Sequence, residues 1–352
     1  MELTLTRPDD FHLHLRDGDA MLFILPHTAH VFGRALVMPN LAHPVTTVQQ
    51  AIDYRHRILE ALSKAPRQCS GFEPLMTIYL TNDTSPTTIA MASATECILA
   101  AKLYPAHATT NAAHGVTDIE QLSPVFETMA ERGLVLSIHG ELLADAHGEV
   151  DVFDREKRFL EETLFWIVDS YPELKVVLEH ITTKEAVRFV EETRTGVAAT
   201  ITAHHLLENR NAIFRGGIQP HHYCLPVLKR EADREALLLA ATSGNPKFFL
   251  GTDSAPHAKS RKESACGCAG CFTAPVALPL YAQAFHSIGA LDRLEGFASF
   301  FGADFYGLPR NTDTVTLVEK AATVPMFTAF GNDDIVVTFW AGHSIDFSVK
   351  PE

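Results

Sequence analysis

The sequence has no long apolar run and few basic side chains, and these two shortages exclude two classes of protein. No uninterrupted apolar stretch reaches the roughly 20 residues that span a bilayer, and the first residues lack the pattern of an export signal. The 29 lysines and arginines are outnumbered by 43 acidic residues, and a net charge of -14 repels a phosphate backbone. We therefore expect a cytoplasmic protein that binds neither membranes nor nucleic acid.

Cysteine is also scarce, with six residues in a chain of 352. A chain of this length buries an adequate core without disulfides, so we expect reduced thiols. Three of the six, Cys266, Cys268 and Cys271, lie in one loop of small residues, but no second ligand pair follows at the spacing of a structural zinc site. We therefore favour a loop that acts through its backbone over an independent zinc site.

Short apolar runs that alternate with helical segments are what the chain has in abundance. Several runs are almost continuously apolar, which is typical of parallel strands covered on both faces. The eight predicted strands are 10–15, 35–38, 75–80, 100–104, 135–139, 176–180, 198–202 and 248–252. The predicted helices are 46–62, 85–94, 118–132, 154–170, 183–195 and 229–243.

This alternation predicts an α/β fold with a parallel sheet. Eight units favour a closed (β/α)8 TIM barrel over an open sheet, and no glycine-rich dinucleotide motif follows the first strand. We expect the barrel at about 8–272. Helices and short strands at about 273–352, such as 334–340, are expected to pack outside it, and no linker divides residues 1–352 into separate domains.

Two histidines one residue apart, His12 and His14, lie in the first predicted strand. Side chains alternate along a strand, so both imidazoles point to the same face and could share a metal ion. The same alternation describes an ordinary half-buried strand with polar residues outward. The pair alone leaves both interpretations open.

Further polar residues stand at the ends of other predicted strands, on the rim where barrels carry their catalytic groups. They are Asn40, Lys102, His139, His180 and Asp253. Each has a structural explanation of its own, such as a buried core histidine or a turn cap, but their common position favours a shared site. Four imidazoles and a carboxylate suit zinc and are too many for one open site, so two ions fit better.

A pair of metal ions needs a bridging anion. Lys102 offers one if carbon dioxide caps its amine as a carbamate, which is an anionic two-oxygen ligand on a long arm. The alternative is a strand lysine that extends to the rim and pairs with an acid.

The segments at these strand ends resemble, in order, motifs of the dihydroorotases of the amidohydrolase superfamily, in particular the shorter monofunctional bacterial type. The segments are 7–18, 37–41, 101–105, 138–141, 179–183, 251–257 and 261–271. The resemblance covers nearly the whole chain. It implies an amidohydrolase-like barrel, a homodimer, and a hydrolase that reversibly cyclises N-carbamoyl-L-aspartate to L-dihydroorotate and water in pyrimidine biosynthesis.

The resemblance also implies two zinc ions, or other divalent ions, bridged by a hydroxide and by Lys102 carboxylated at its amine with CO2. The first ion would be held by His12, His14, Lys102 and Asp253, and the second by His139, His180 and Lys102. Asp253 would act as the general acid and base of the reaction.

The substrate contacts are implied in the same way. Arg16, Asn40 and His257 would bind the carboxylate outside the ring, the backbones of Leu225 and Ala269 would face the ring amide, and Thr109 and Thr110 would close over the substrate on a mobile loop. Structural explanations for the first three are a surface ion pair, a turn asparagine and a turn histidine. One departure is His107, where relatives have asparagine.

Three other functions compete with this one. A hydantoinase or dihydropyrimidinase would share the metal ligands but would not require Arg16, Asn40 and His257, since its substrate lacks the free carboxylate. An inactive barrel that serves as a scaffold would bury a complete set of ionisable metal ligands. That burial costs free energy and would bring no function. A zinc-dependent nucleic-acid module would depend on the cysteine cluster alone, against the acidic charge.

Overall fold

Eight parallel strands alternate with helices and form a nearly closed barrel in the computed structural model of the chain, which describes residues 1–351. The strands are β1 Glu2–Thr6, β2 Asp9–Leu13, β3 Arg34–Val37, β4 Glu73–Tyr79, β5 Ile98–Leu103, β6 Val135–Ile138, β7 Ala144–Asp145, β8 Gly148–Glu149, β9 Val176–Leu178, β10 Val197–Ile201, β11 Phe248–Leu250, β12 Thr314–Thr323, β13 Phe327–Phe330, β14 Asp334–Val337 and β15 Ser344–Val349.

The barrel consists of β2, β3, β4, β5, β6, β9, β10 and β11 in that order, and each neighbouring pair is parallel. Its first and last strands meet through backbone hydrogen bonds beyond the end of β11. The N–H of Asp253 donates to the carbonyl of His12 at 2.9 Å, and the N–H of His14 donates to the carbonyl of Ser254 at 3.2 Å. The predicted barrel is therefore confirmed.

The helices surround this barrel, and several of them start at a capping side chain. They are α1 Asp19–Ala29, α2 Val48–Ser63, α3 Pro86–Ser93, α4 Ser123–Arg132, α5 Arg155–Phe159, α6 Phe165–Ser170, α7 Lys184–Glu192, α8 Ala203–Leu207, α9 Glu231–Thr242, α10 Lys259–Lys262, α11 Ala277–His286 and α12 Phe301–Tyr306. The side chains of Thr47, Ser85 and Thr183 each accept a hydrogen bond from the N–H three residues on, which starts α2, α3 and α7.

Three helical segments differ from the prediction. The predicted helix 154–170 is α5 and α6 joined by a π-helical turn at Leu160–Leu164. The segment 118–132 begins as a 3-10 turn at Glu120–Leu122 before α4 starts. Helix α1 was not predicted because its sequence is apolar almost throughout and contains Pro26, which leaves no clear helical period.

The inside of the barrel is filled in layers, as in other barrels of this type. One apolar side chain from each barrel strand packs with Ala303 of α12 in a floor made of Phe11, Leu36, Leu75, Ala100, Val135, Val177, Ala198 and Phe249. Two residues further along five of the strands the buried side chains are polar, namely Thr77, Lys102, Ser137, Glu179 and Thr200. Because side chains alternate along a strand, these polar groups lie directly above the floor and below the carboxyl-terminal rim.

The rest of the chain packs outside the barrel, as predicted for its C-terminal part. Strand β1 pairs antiparallel with β12, and β12 pairs with β15, so one small sheet joins the two ends of the chain. The hairpin of β13 and β14 packs on α1. Within residues 1–351, none of the helices has the length and apolar character needed to cross a membrane.

Candidate active site

Four imidazoles and one carboxylate meet at the carboxyl ends of the barrel strands. The ring centroid of His180 lies 4.9 Å from that of His12 and 4.8 Å from that of His139, and the rings of His12 and His14 are 5.3 Å apart. Oδ1 of Asp253 lies 3.0 Å from Nε2 of His14 and 3.4 Å from Nε2 of His12. The structure thus brings these five residues into one buried cluster.

A break in strand regularity allows His12 to join this cluster. The pairing of β2 with β3 shifts register between Asp10 and Leu13, so Phe11 packs in the barrel floor while the next residue, His12, also faces inward. The carboxylate of Asp10 accepts hydrogen bonds from the N–H of His12 at 3.1 Å and from the Thr252 N–H at 2.8 Å. This bonding ties the histidine strand to the strand end that carries Asp253.

Backbone strain accompanies the site. Strands β9 and β11 end two residues earlier than predicted, and the chain then turns through left-handed conformations at His180 (φ 42°) and Asp253 (φ 45°). Arg16 has a φ of 60°. Such conformations cost about 1–3 kcal/mol each in a residue other than glycine and are held by the surrounding structure, most often at functional sites.

Two buried carboxylates fix the orientation of the histidines. Oε2 of Glu179 lies 2.9 Å from Nδ1 of His12, and Oε2 of Glu141 lies 2.8 Å from Nε2 of His139. Glu179 also accepts hydrogen bonds from the hydroxyls of Ser137 at 2.5 Å and Thr200 at 2.6 Å. The opposite ring nitrogens, Nε2 of His12 and Nδ1 of His139, are thereby left for a ligand, which is the usual arrangement behind metal-binding histidines.

Burial favours the neutral form of three of the four imidazoles. Desolvation lowers the pKa of His14 to about 4 and also lowers the pKa values of His139 and His180. Burial alone would raise the pKa of Asp253, but the hydrogen bond with His14 and the nearby imidazoles of His12 and His180 bring it well below its ordinary value. An ionised carboxylate beside imidazoles is a ligand set suited to a divalent cation.

Lys102 lies at the centre of the polar layer. Its side chain is fully buried, and among the described residues its Nζ has no hydrogen-bond partner. The ring centroid of Tyr104 lies 5.0 Å from Nζ. Burial lowers the pKa of the amine to about 8, so an uncharged and nucleophilic form is accessible near neutral pH.

The cavity above the cluster is almost closed. Its volume is about 20 Å³, enough for a single water molecule. The lining includes most of the predicted site residues: His12, His14, Arg16, Asn40, Thr109, Thr110, His139, His180, Leu225, Asp253 and Ala269. Lys102 is not in this lining, and His257 instead lines the wider outer cleft of about 640 Å³.

The loop of residues 105–116 forms the roof. The side-chain amide of Asn40 donates to the carbonyl of Thr110 at 3.1 Å, and the amide of Asn111 donates back to the carbonyl of Asn40 at 3.0 Å. The Thr110 hydroxyl reaches the carbonyl of Ala269 at 3.4 Å. In this structure the loop is therefore closed over the site.

Arg16 points its guanidinium at one side of the cavity. Its Nε donates to the carbonyl of Pro256 at 2.8 Å, and its Nη2 lies 2.8 Å from Nε2 of His257. The same Nε2 lies 2.9 Å from the carbonyl oxygen of Ala269, and burial and the charge of Arg16 lower the pKa of His257 to about 2, so this imidazole stays neutral. The oxygen Oδ1 of Asn40 is buried and has no partner among the described residues, which leaves an acceptor site beside the guanidinium.

Glu141 and Glu179 are the important site residues that the sequence did not predict. The sequence contained a signal for one of them, because Glu179 is a charged residue at the end of a strand that is otherwise almost fully apolar.

Of the cysteine loop, Cys266 is exposed while Cys268 and Cys271 are buried. The ammonium of Lys262 donates to the carbonyls of Tyr223, Cys268 and Gly270 at 2.7–2.8 Å, which holds this loop through its backbone.

A barrel with clustered histidines and a carboxylate at its carboxyl-terminal rim has the architecture of a metal-assisted hydrolase. A model of the amidohydrolase family matches residues 10–343, which is nearly the whole chain. The chain therefore belongs to the amidohydrolase family, and within it to the dihydroorotases, as curated relatives at 54–57% identity show. It is a hydrolase that acts on cyclic amides.

The curated dihydroorotase of Aromatoleum aromaticum is 57% identical over 347 residues, with 99% of each chain covered. The crystal structure of Saccharomyces cerevisiae dihydroorotase in complex with 5-fluoroorotic acid superposes with a TM-score of 0.90 at 34% identity, covering 99% of this chain and 98% of that one. An L-hydantoinase from Arthrobacter aurescens reaches a TM-score of 0.79 at 15% identity, covering 99% of this chain and 83% of that one. This last likeness shows the fold alone.

Proposed function

We propose that this protein is a dihydroorotase that interconverts N-carbamoyl-L-aspartate and L-dihydroorotate plus water, a step of pyrimidine biosynthesis. The observation that carries the proposal is a single closed cavity lined both by His12, His14, His139, His180 and Asp253 and by Arg16 and Asn40. The first set suits the hydrolysis and closure of a cyclic amide. The second set suits a substrate that also bears a free carboxylate.

The residues fit a pair of zinc ions, although other divalent ions share the preference for such ligands. His12, His14 and Asp253 would hold one ion and His139 and His180 the other, with Lys102 common to both. Support comes from the converging Nε2 atoms of His12 and His14 on Asp253 and from the carboxylates of Glu179 and Glu141 behind the histidines. When bound, such ions supply a nucleophilic water at neutral pH and polarise a carbonyl oxygen.

Lys102 would serve as the shared ligand after carboxylation by CO2. A buried ammonium without a partner is costly, whereas a carbamate between two cations has its charge compensated. The lowered pKa of Lys102, about 8, provides the neutral amine that reacts with CO2.

Asp253 is the proposed general acid and base. Its carboxylate is ionised at neutral pH and faces the cavity, so Oδ1 accepts a proton from the attacking water and passes it to the amide nitrogen as the ring opens. In the synthetic direction the same carboxylate removes a proton from the carbamoyl nitrogen and returns it to the departing oxygen. The strained backbone at Asp253 keeps the carboxylate in the cavity.

The substrate would be oriented by its free carboxylate. The guanidinium of Arg16, held by Pro256 and by neutral His257, donates to that carboxylate, and the side-chain amide of Asn40, which uses one N–H on the carbonyl of Thr110, donates its second N–H to it. The backbones of Leu225 and Ala269 face the ring amide, and Thr109 and Thr110 close over the ring and exclude water.

The competing proposal is a hydantoinase or dihydropyrimidinase. Such an enzyme would use the same metal ligands, but its substrate offers no carboxylate to Arg16, and the charge of the guanidinium would then lack a counter-ion on the substrate. The carboxylate-binding group therefore favours dihydroorotate.

The test uses the purified full-length protein supplied with zinc. We expect it to interconvert L-dihydroorotate and N-carbamoyl-L-aspartate, followed by the absorbance change of the ring amide in the ultraviolet. Hydantoin and dihydrouracil serve as matched substrates without the carboxylate and should be turned over poorly. Activity on those two alone would overturn the proposal.

A further inference from the structure

A second group of potential metal ligands lies outside the cluster described above. His204 and His205 open helix α8, directly after barrel strand β10, and Cys224 precedes Leu225. All three side chains are buried, and each offers one ligand atom such that these atoms lie within 4.8 Å of one another. The group is therefore adjacent to the segment that we assign to substrate binding, but it shares no residue with the proposed zinc pair.

The ring nitrogens of His204, Nδ1 and Nε2, are completely buried and have no hydrogen-bond partners among the described residues. A neutral imidazole always presents one N–H donor and one acceptor, and each of these groups left unpaired in the interior costs about 1–3 kcal/mol. Its ring packs 4.5 Å from the ring of His205 and 6.0 Å from that of Phe339, centroid to centroid. The two free ring nitrogens of His204 therefore require a bound partner, either a metal ion or a water molecule.

The neighbours of His204 are spaced like donors around one ion. Nε2 of His205 lies 3.9 Å from Sγ of Cys224 and 3.1 Å from the carbonyl oxygen of Pro226, and that oxygen lies 3.3 Å from Sγ. In a tetrahedral zinc site with bonds of about 2.1 Å to nitrogen or oxygen and 2.3 Å to sulfur, adjacent donors are about 3.4–3.6 Å apart. Small shifts of the side chains bring the observed spacings to these values.

The hydrogen bond on the other ring nitrogen of His205 is also typical of a metal-binding histidine. Nδ1 of His205 lies 2.7 Å from the hydroxyl of Thr202, which caps helix α8 and cannot swing away without loss of the cap. A hydrogen bond on the far nitrogen is what fixes the ring of a metal-binding histidine.

We propose that His204, His205, Cys224 and the carbonyl oxygen of Pro226 form a separate zinc site that braces the segment carrying Leu225. Two imidazoles, one thiolate and one oxygen are a ligand set that the borderline-soft Zn²⁺ accepts. When the ion binds, the Cys224 thiol releases its proton to solvent. The proton of the His205 ring moves from Nε2 to Nδ1, and the Nδ1–H then donates a hydrogen bond to the hydroxyl oxygen of Thr202. The hydrogen bond with Cys271 and burial raise the pKa of the Cys224 thiol well above its ordinary value, and only the charge of Lys262 lowers it, so the thiolate forms when the ion binds and displaces the proton.

Cobalt substitution separates this site from the proposed active-site ions. A thiolate bound to Co²⁺ gives a charge-transfer band in the near ultraviolet, and the proposed catalytic pair has only nitrogen and oxygen ligands. We expect the cobalt-loaded full-length protein to show this band, Cys224→Ser and His204→Gln to lose it together with one equivalent of bound metal, and Lys102→Ala to keep it.

Cys266→Ser is the matched control, since it removes a thiol from the neighbouring cysteine loop and should leave the band intact. Zinc X-ray absorption of the unmodified protein, which does not depend on any variant folding, should show a sulfur neighbour at about 2.3 Å. Absence of the band and of the sulfur neighbour, or a band that disappears in Cys266→Ser and persists in Cys224→Ser, would overturn the proposal. The first result would mean that water satisfies His204, and the second that the cysteine loop binds the ion.

Discussion

Among single residues, Lys102 has the environment that most strongly favours a chemical modification of its side chain, which we propose to be carboxylation. Replacing Lys102 with alanine removes the proposed shared ligand. Loss of a partner behind a metal ligand typically costs 10–100-fold, so loss of a ligand common to both ions should reduce activity by more than about 100-fold. Steady-state kinetics and metal content should both fall, and propionate or acetate should restore part of each by occupying the place of the carbamate.

Lys229→Ala is a suitable comparison, because Lys229 is another buried lysine but has a partner, the carbonyl of Val227 at 3.1 Å. It should keep its metal and gain nothing from added carboxylic acids. If Lys102→Ala stays fully active, Lys102 is not a ligand.

Arg16 is the residue that we expect to discriminate between dihydroorotate, which has a free carboxylate, and uncharged ring amides. A charge-assisted hydrogen bond contributes about 1.5–3 kcal/mol, and a guanidinium fork can make two such bonds to a carboxylate. Arg16→Gln should therefore lower kcat/KM for L-dihydroorotate by roughly 100-fold, with little change in metal content. Arg57 lines the same outer cleft but pairs with Asp17 at 2.8 Å, so Arg57→Gln should change kcat/KM less than threefold. Equal losses in the two variants would contradict the role of Arg16.

The limits of sequence analysis are clear at this scale. His12, His14, His139, His180 and Asp253 could be found because a barrel places the ends of all its strands on one rim. Glu141 and Glu179 were not predicted, since a carboxylate behind a ligand has no fixed spacing from the histidine it orients. Glu179 lies 167 residues from His12 along the chain.

At the scale of elements, the 105–116 loop controls access. The cavity beneath it holds one water, so a ring-shaped substrate enters only when the loop opens. The loop is anchored where its ends pair, through hydrogen bonds between Ala106 and Val116 and between Val116 and Tyr104. Its tip is held by the mutual hydrogen bonds of Asn40 with Thr110 and Asn111. Opening thus breaks few contacts, as expected of a lid.

His107 tests this loop. It is exposed and has a φ of 66°, a left-handed conformation that asparagine adopts more readily than most residues. We expect His107→Asn to keep kcat/KM for L-dihydroorotate within about twofold. His107→Val should lower it by about tenfold, since a β-branched residue adds about 1–2 kcal/mol of strain to the closed loop.

His114→Val provides the control for this pair of variants, because His114 is an exposed histidine of the same loop without a left-handed φ. It should behave like the unmodified protein. A valine at 107 that leaves kinetics unchanged would mean that the observed closed conformation is not the one used in catalysis.

The elements that sequence analysis missed share a physical reason. Helix α1 packs against the β13–β14 hairpin and still exposes the apolar side chains of Leu22 and Phe23, so its sequence shows no amphipathic period. Strand β1 is stabilised by pairing with β12, more than 300 residues away, and nothing in its own five residues reveals that partner. Elements with a local cap or a local period, such as α2 and α7, were predicted to within a few residues.

At the scale of the whole molecule, the pairing of β1 with β12 and β15 joins both chain ends on one side of the barrel. That residues 1–352 form a single domain, that the protein lies in the cytoplasm and that it acts as a homodimer all stay predictions. Sedimentation of the purified protein measures the last of these directly.

The folded molecule as a whole should be sensitive to acid when its metals are removed. Burial lowers the pKa of His14 and of His204 to about 4 and takes those of His180 and His205 well below 6.5. Between the folded and the ordinary pKa the unfolded chain binds more protons, so stability is lost as the pH falls below about 6.5. Asp10, whose burial raises its pKa to about 7, and Glu156, whose pKa burial also raises, act in the opposite direction but are only two groups.

Each of these buried histidines contributes up to about 1.4 kcal/mol per pH unit, so together they outweigh Asp10 and Glu156. The midpoint of urea unfolding of the metal-free protein should therefore fall between pH 7 and pH 5, and His204→Gln should show a smaller fall because one of the groups is gone. A midpoint that stays level or rises toward pH 5 would mean that these imidazoles are already protonated in the folded protein, and hence that the site is not preformed for cations as the structure indicates.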